Sequence, residues 1–209
     1  MARLHAREEV RDGLRAAAMM TDMRRILIVM VSALVGLLAA TGPAVAHPRG
    51  IADRFMLQAD ELGGATPGPV EEGLVWPLLP QPCTDRPIPQ PTATRTQAAD
   101  YNTRFRVYQN VSRFRGDGAQ QYLTELKAQL ADCGVGGGDN GFDPVAEDHL
   151  GPDSVLFLGN YDLGDRWVAY VAAAVDRHVV VIMVSDPSLG AGDPTLANGL
   201  AQAAMARLR

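Results

Sequence analysis

The chain has 209 residues with 19 basic and 24 acidic side chains, a formal charge of −5, and 47% hydrophobic residues. Six of the arginines and four of the acids lie in residues 1–46, so residues 47–209 keep 13 basic and 20 acidic groups and a formal charge of −7. That balance argues against nucleic acid or an anionic membrane as the main partner, because both demand a positive face. Eighteen arginines against a single lysine, with abundant Ala, Gly and Pro, suggest a GC-rich bacterial genome.

The segment from residue 24 to 46 reads as a secretion signal. Arg24 and Arg25 precede an uncharged apolar stretch, Ile26 to Ala40. Thr41, Gly42 and Pro43 break a helix, and Ala44-Val45-Ala46 fits the small-x-small site of signal peptidase. The expectation is cleavage after Ala46, a mature N-terminus at His47, and contact with a membrane only through the signal before cleavage. An uncleaved anchor is the alternative, since Ile26–Ala46 is nearly long enough to span a bilayer. Residues 1–22 form a polar leader of unusual kind before such a signal, and Met23 is a natural start.

The remaining 163 residues suffice for one hydrophobic core, so residues 47–209 are expected to form a single secreted domain. Its only cysteines are Cys83 and Cys133. In an exported chain an even count favours a disulfide. Two buried thiols are the alternative, and no His or second Cys stands at ligand spacing from either one.

Residues 51–62 place Ile51, Phe55, Met56, Leu57 and Leu62 at helical spacing, with Gly63-Gly64 as the stop. Residues 63–95 are rich in Pro and Gly and predict an irregular segment. Trp76, Leu78 and Leu79 are apolar islands in it that should tuck against the core.

Residues 99–115 predict one strand. Phe105 and Val107 alternate with Arg104, Arg106 and Tyr108, and the pattern slips at Gln109–Asn110, where a bulge is expected. Asp117 then caps a helix from Gly118 to Asp132 with Tyr122, Leu123, Leu126 and Leu130 on one face.

A Gly- and acid-rich loop, residues 134–153, follows. Val155–Leu158, Arg166–Val175 and Val179–Ser185 predict strands. The last two form an antiparallel hairpin around Asp176-Arg177-His178. Asp193-Pro194 starts a final helix with Leu196, Leu200, Ala204 and Leu208 on its buried face. The order implies an α+β fold: an antiparallel sheet packed against two or three helices on one side, with one disulfide.

Three runs carry a resemblance: FMLQADELGG after the signal, WPLLPQPC ending at Cys83, and VSRFRGDGAQQYLTELKAQLADC ending at Cys133. The hairpin WVAYVAAAVDRHVVVIMVS and the closing Ala-rich helix complete it. Together they resemble the extracellular sensor domain of mycobacterial PknH-type serine/threonine kinases and related exported actinobacterial proteins. The resemblance implies extracellular ligand sensing by a stand-alone relative without a kinase segment. The second disulfide typical of that family has no cysteines here.

Chemistry is sparse. His47, His149 and His178 read as surface residues. No Gly-x-Ser-x-Gly, His-Glu-x-x-His, Walker loop or dinucleotide fingerprint occurs, so no catalytic residue, metal or cofactor is expected. Asp139, Asn140, Asp143, Glu147 and Asp148 could offer oxygen ligands to Ca²⁺, although their spacing departs from an EF-hand and a solvated loop is the plainer reading.

Arg104, Arg106 and Tyr108, with Arg113 and Arg115 nearby, could form a face for an anionic ligand, against an ordinary solvent-facing strand. The reading is a secreted, non-catalytic sensor-like or ligand-binding domain at the bacterial cell envelope. Its partner is a small molecule or an envelope component. The alternatives are a cell-wall hydrolase using Asp162 and Asp165, or a structural envelope protein.

Overall fold

The computed structural model describes residues 50–133, 141–160, 166–188 and 190–209. Pro48–Arg209 forms one compact unit. Its strands are β1 (Ala93–Tyr101), β2 (Phe105–Arg113), β3 (Gly141–Glu147), β4 (Ser154–Asn160), β5 (Val168–Val175) and β6 (His178–Ser185). Two helices accompany them, α1 (Gly118–Cys133) after β2 and α2 (Pro194–Leu208) at the end. The strands make one sheet in the order β1-β2-β6-β5-β4-β3, antiparallel throughout. An α+β fold with one antiparallel sheet and one disulfide is therefore what the chain adopts. Among the described residues no helix is long and apolar enough to cross a membrane; Ile26–Ala46 lies outside them.

The helices cover opposite faces of the sheet, where the sequence pattern implied one side. Helix α1 packs Tyr122, Leu123, Leu126 and Leu130 against Phe157, Tyr170, Ala172 and Met183. Helix α2 packs Leu200, Ala201, Ala204 and Leu208 against Val171, Ala173, Ile182 and Val184. A strand turns alternate residues to opposite faces, so β5 and β6 need apolar residues at every position. That accounts for all of VAYVAAAV being buried. Each buried leucine of these helices contributes roughly 1.5–3 kcal/mol.

Helix α2 begins as the sequence implies, with Asp193 accepting from the N–H groups of Thr195 at 2.8 Å and Leu196 at 3.1 Å. The β5–β6 hairpin forms as expected, turning at Asp176-Arg177 with Asp176 at φ 52°, and His178 is already the first residue of β6.

Four local expectations change. Residues 51–62 hold a 3-10 turn at Asp53–Phe55 and hydrogen-bonded turns from Ala59 onward in place of a continuous helix. Ile51, Met56, Leu57 and Leu62 are buried nonetheless, because side chains from the sheet bind this backbone and replace helical hydrogen bonds. Residues 99–115 hold a turn at Asn102–Arg104, so the predicted single strand is the end of β1 and the whole of β2. Asn102 and Thr103 sit at φ 50° and 58°, a turn conformation that Asn adopts more readily than Thr.

No bulge occurs at Gln109–Asn110, where β2 runs in unbroken register. The alternation slips there because both faces are covered and Gln109, Asn110 and Ser112 are buried polar groups. Lastly, the predicted 134–153 loop contains β3, an edge strand with an irregularity between Pro144 and Ala146. Its polar composition suits an edge.

Candidate functional site

The Pro-rich segment, residues 63–92, has little regular structure, so its backbone is held by side chains from the sheet and α1. Asn110 donates from Nδ2 to Leu78 O. The Tyr122 hydroxyl donates to Pro80 O at 2.9 Å. Gln129, fully buried on α1, accepts the Cys83 N–H at 3.0 Å through Oε1. The Cys83–Cys133 disulfide closes beside it, with the two Cα atoms 5.8 Å apart. The expected pairing of Cys83 with Cys133 is the one formed.

Gly68 bonds to the outer edge of β1: its N–H donates to Ala98 O at 2.8 Å, and Ala98 N–H donates back to Gly68 O at 2.9 Å. Next to this pair lies an open groove of about 350 Å³ lined by Asp53, Met56, Gln58, Pro67, Gly68, Pro69, Arg95, Thr96 and Gln97. One wall is the 53–58 segment. Gln97 Nε2 donates to Leu57 O at 2.9 Å and fixes that wall to β1. Arg95 closes one end, paired with Asp53 and donating to Ile51 O at 3.3 Å. The other wall is Pro67–Pro69.

Of the three sequence-proposed ligand residues, two come together. Arg106 bonds Asp100 at 2.6 Å and Glu71 at 3.2 Å, and the Tyr108 hydroxyl donates to the other Glu71 oxygen. The Arg106 guanidinium stands 5.8 Å from the Tyr108 ring centre. The hydrogen bond to Asp100 is the main reason that Arg106 is held still more firmly protonated than usual.

Burial, then the bond to Glu71, pushes the Tyr108 phenol well above its ordinary value. For Glu71 burial acts upward. The bonds from Tyr108, its own backbone N–H and Arg106 outweigh it, and its carboxyl is held below the usual value. Glu71 is three residues beyond Gly68, so this cluster pins the Pro67–Pro69 wall to β2.

Arg104 does not join them. It lies in the β1–β2 turn, over the Phe105 ring at 4.8 Å and 3.5 Å from Asp186.

Other sequence candidates are dispersed. Asp148 pairs with Lys127 at 2.6 Å, while Asp143 and Glu147 belong to β3. Among the described residues no group of three or more His, Cys, Asp or Glu side chains is placed to hold a metal ion. His178 rests 5.4 Å from the Phe55 ring, and burial, with Arg113 and Arg177 adding to it, lowers its pKa. His47, Asp139, Asn140, Asp162 and Asp165 lie outside the described residues.

Sequence reasoning missed Gln97, Gln109, Glu71 and Gly68. Gln109, a polar residue where the predicted strand's alternation slips, is the signal that could have led to this role; Gln97 lay outside the predicted strand.

No family model matches the sequence, and no curated protein matches it. Among solved structures, the fold is similar to the crystal structure of the extracellular domain of PknH from Mycobacterium tuberculosis, with a TM-score of 0.52 and 12% identity. The match covers 78% of this chain and 98% of that one. At this identity the two share a fold.

Proposed function

We propose that this chain is an exported, non-catalytic binding domain of the bacterial cell envelope, a relative of PknH-type extracellular sensor domains. The observation that carries the reading is the fold likeness, which extends over 98% of the PknH extracellular domain. A disulfide between Cys83 and Cys133 suits an oxidising compartment, and the signal at residues 24–46 supplies a route there. The groove on the β1 edge is the ligand seat. Arg106 and Tyr108 serve it indirectly, by holding Glu71 and the wall that Glu71 belongs to, while Arg104, exposed and 3.5 Å from Asp186, meets an anionic group of the partner only by sharing or giving up that pairing.

The full-length chain, produced in an actinobacterial host, tests this. The culture fluid should hold a form beginning at His47 by N-terminal sequencing, and fractions of the host envelope should raise its melting temperature. Retention of the whole chain in the cytoplasm would remove the reading. Clearing of peptidoglycan in a gel assay, lost on Asp162→Asn or Asp165→Asn, would put the hydrolase in its place.

A further inference from the structure

The two edges of the sheet are treated differently. On β3 the edge carries Pro144, an irregular register at Pro144/Ala146, and the charges of Asp143 and Glu147. Such devices prevent another strand from pairing. On β1 the register with β2 is unbroken from Ala93 to Tyr101, and Thr94, Arg95 and Thr96 are exposed. Of its two charges, Arg95 is drawn aside by Asp53 and Ile51 O and Asp100 by Arg106.

Ala98 sends both its N–H and its C=O outward to Gly68. Backbone groups alternate in direction along an antiparallel strand, so Thr96 and Thr94 also present theirs outward. Among the described residues Gly68 is the one that bridges this edge.

We propose that the β1 edge at Thr94–Thr96 takes up one extended segment of a partner polypeptide by strand addition, with the groove as its seat. This rests on the binding reading above and gives its ligand a class. Gly68 already shows the geometry, as a one-residue strand with two good hydrogen bonds beside Ala98. A second chain entering next to it would continue that pairing at Thr96, whose own residue lines the groove. The groove is of ligand-pocket size, roughly 300–1,000 Å³ in general.

A second copy of this chain fits the edge poorly. Its own sheet edge, thickened by layers on both faces, does not enter a recess walled by residues 53–58 and 67–69. Twofold pairing about Arg95 would also set two like charges opposite each other. A lone extended chain meets neither obstacle.

The test uses the exported protein and phage-displayed random heptapeptides as the probe. Selected peptides should bind the wild type and slow hydrogen exchange at the Thr94 and Thr96 amides by about tenfold or more. Thr96→Pro removes only an outward N–H and should weaken binding about tenfold, whereas Thr96→Val, which keeps the backbone, should stay within about twofold. If Thr96→Pro does not fold by circular dichroism, the exchange measurement on the wild type decides alone. Selection of no peptide, equal loss in Thr96→Val, or unchanged exchange would each overturn the proposal. So would a concentration-dependent dimer that protects the Thr96 amide. An envelope fraction that stabilises wild type and Thr96→Pro alike would overturn strand addition and leave the binding domain standing.

Discussion

Gln97 and Gln109 stand opposite each other on β1 and β2, and Gln97 Nε2 donates to Gln109 Oε1 at 3.0 Å. The same Oε1 accepts the Leu57 N–H at 2.8 Å, and Gln97 also reaches Leu57 O. The pair thus satisfies both backbone groups of one buried residue in a segment with no ladder of its own. Gln109→Ala would leave the Leu57 N–H buried without this acceptor. It should cost about 2 kcal/mol, read as a lower urea midpoint at unchanged slope. A loss below about 0.5 kcal/mol would mean that the 53–58 wall is held by apolar burial alone.

Cys83 and Cys133 are 50 residues apart in sequence. On the chain-entropy account, closing that loop limits the unfolded ensemble by about 4 kcal/mol. The double variant Cys83→Ser/Cys133→Ser should lose stability of that order in urea. Reductant should shift the wild type toward the variant and leave the variant unmoved.

Glu71 connects the groove wall to β2, and its pKa in the folded protein lies below its ordinary value of 4.5. A depressed carboxyl stabilises the fold fully above the unfolded-state value and loses that contribution as pH falls through the folded one. Glu71→Gln should therefore be less stable than the wild type at pH 7, with the gap closing below about pH 4. Because the Glu71 side chain is 42% exposed, the gap should stay under about 1 kcal/mol. Melting curves that remain parallel from pH 7 to about pH 3 would contradict this assignment.

Gly192 passes against the backbone of β5 and β6, and its N–H donates to Trp167 O at 2.7 Å. A Cβ there would run into Val184 O and the Ala169 N–H, both main-chain atoms that cannot swing away. Gly192→Ala should cost about 2–3 kcal/mol in a urea titration. Gly199→Ala, where open space surrounds the added carbon, should be neutral or stabilising, since alanine is the better helix former.

Local chemistry carried much of the fold. Asp193-Pro194 set the start of α2, the Leu/Tyr spacing set the buried face of α1, and Asp176-Arg177 between two apolar runs set the β5–β6 hairpin. Residues 51–62 show where local reasoning stops. Their helical spacing is real and their apolar residues are buried, yet the backbone follows Gln97 and Gln109, about 40 to 52 positions away. For β3, an edge strand needs no apolar alternation, so its polar sequence was indistinguishable from a loop.

By itself the sequence determined the disulfide partners, the antiparallel hairpin and the two long helices. Each depends on neighbours a few residues apart, or on there being only two cysteines to pair. Only the tertiary structure decided that the helices take opposite faces, that Arg106 and Tyr108 meet at Glu71, and that one sheet edge stays open beside a groove. Those features join residues about 30 to 40 positions apart: Glu71 meets Arg106 and Tyr108 through side chains, while Gln97 and Ala98 hold main-chain groups that every residue carries, so local sequence does not announce the partners.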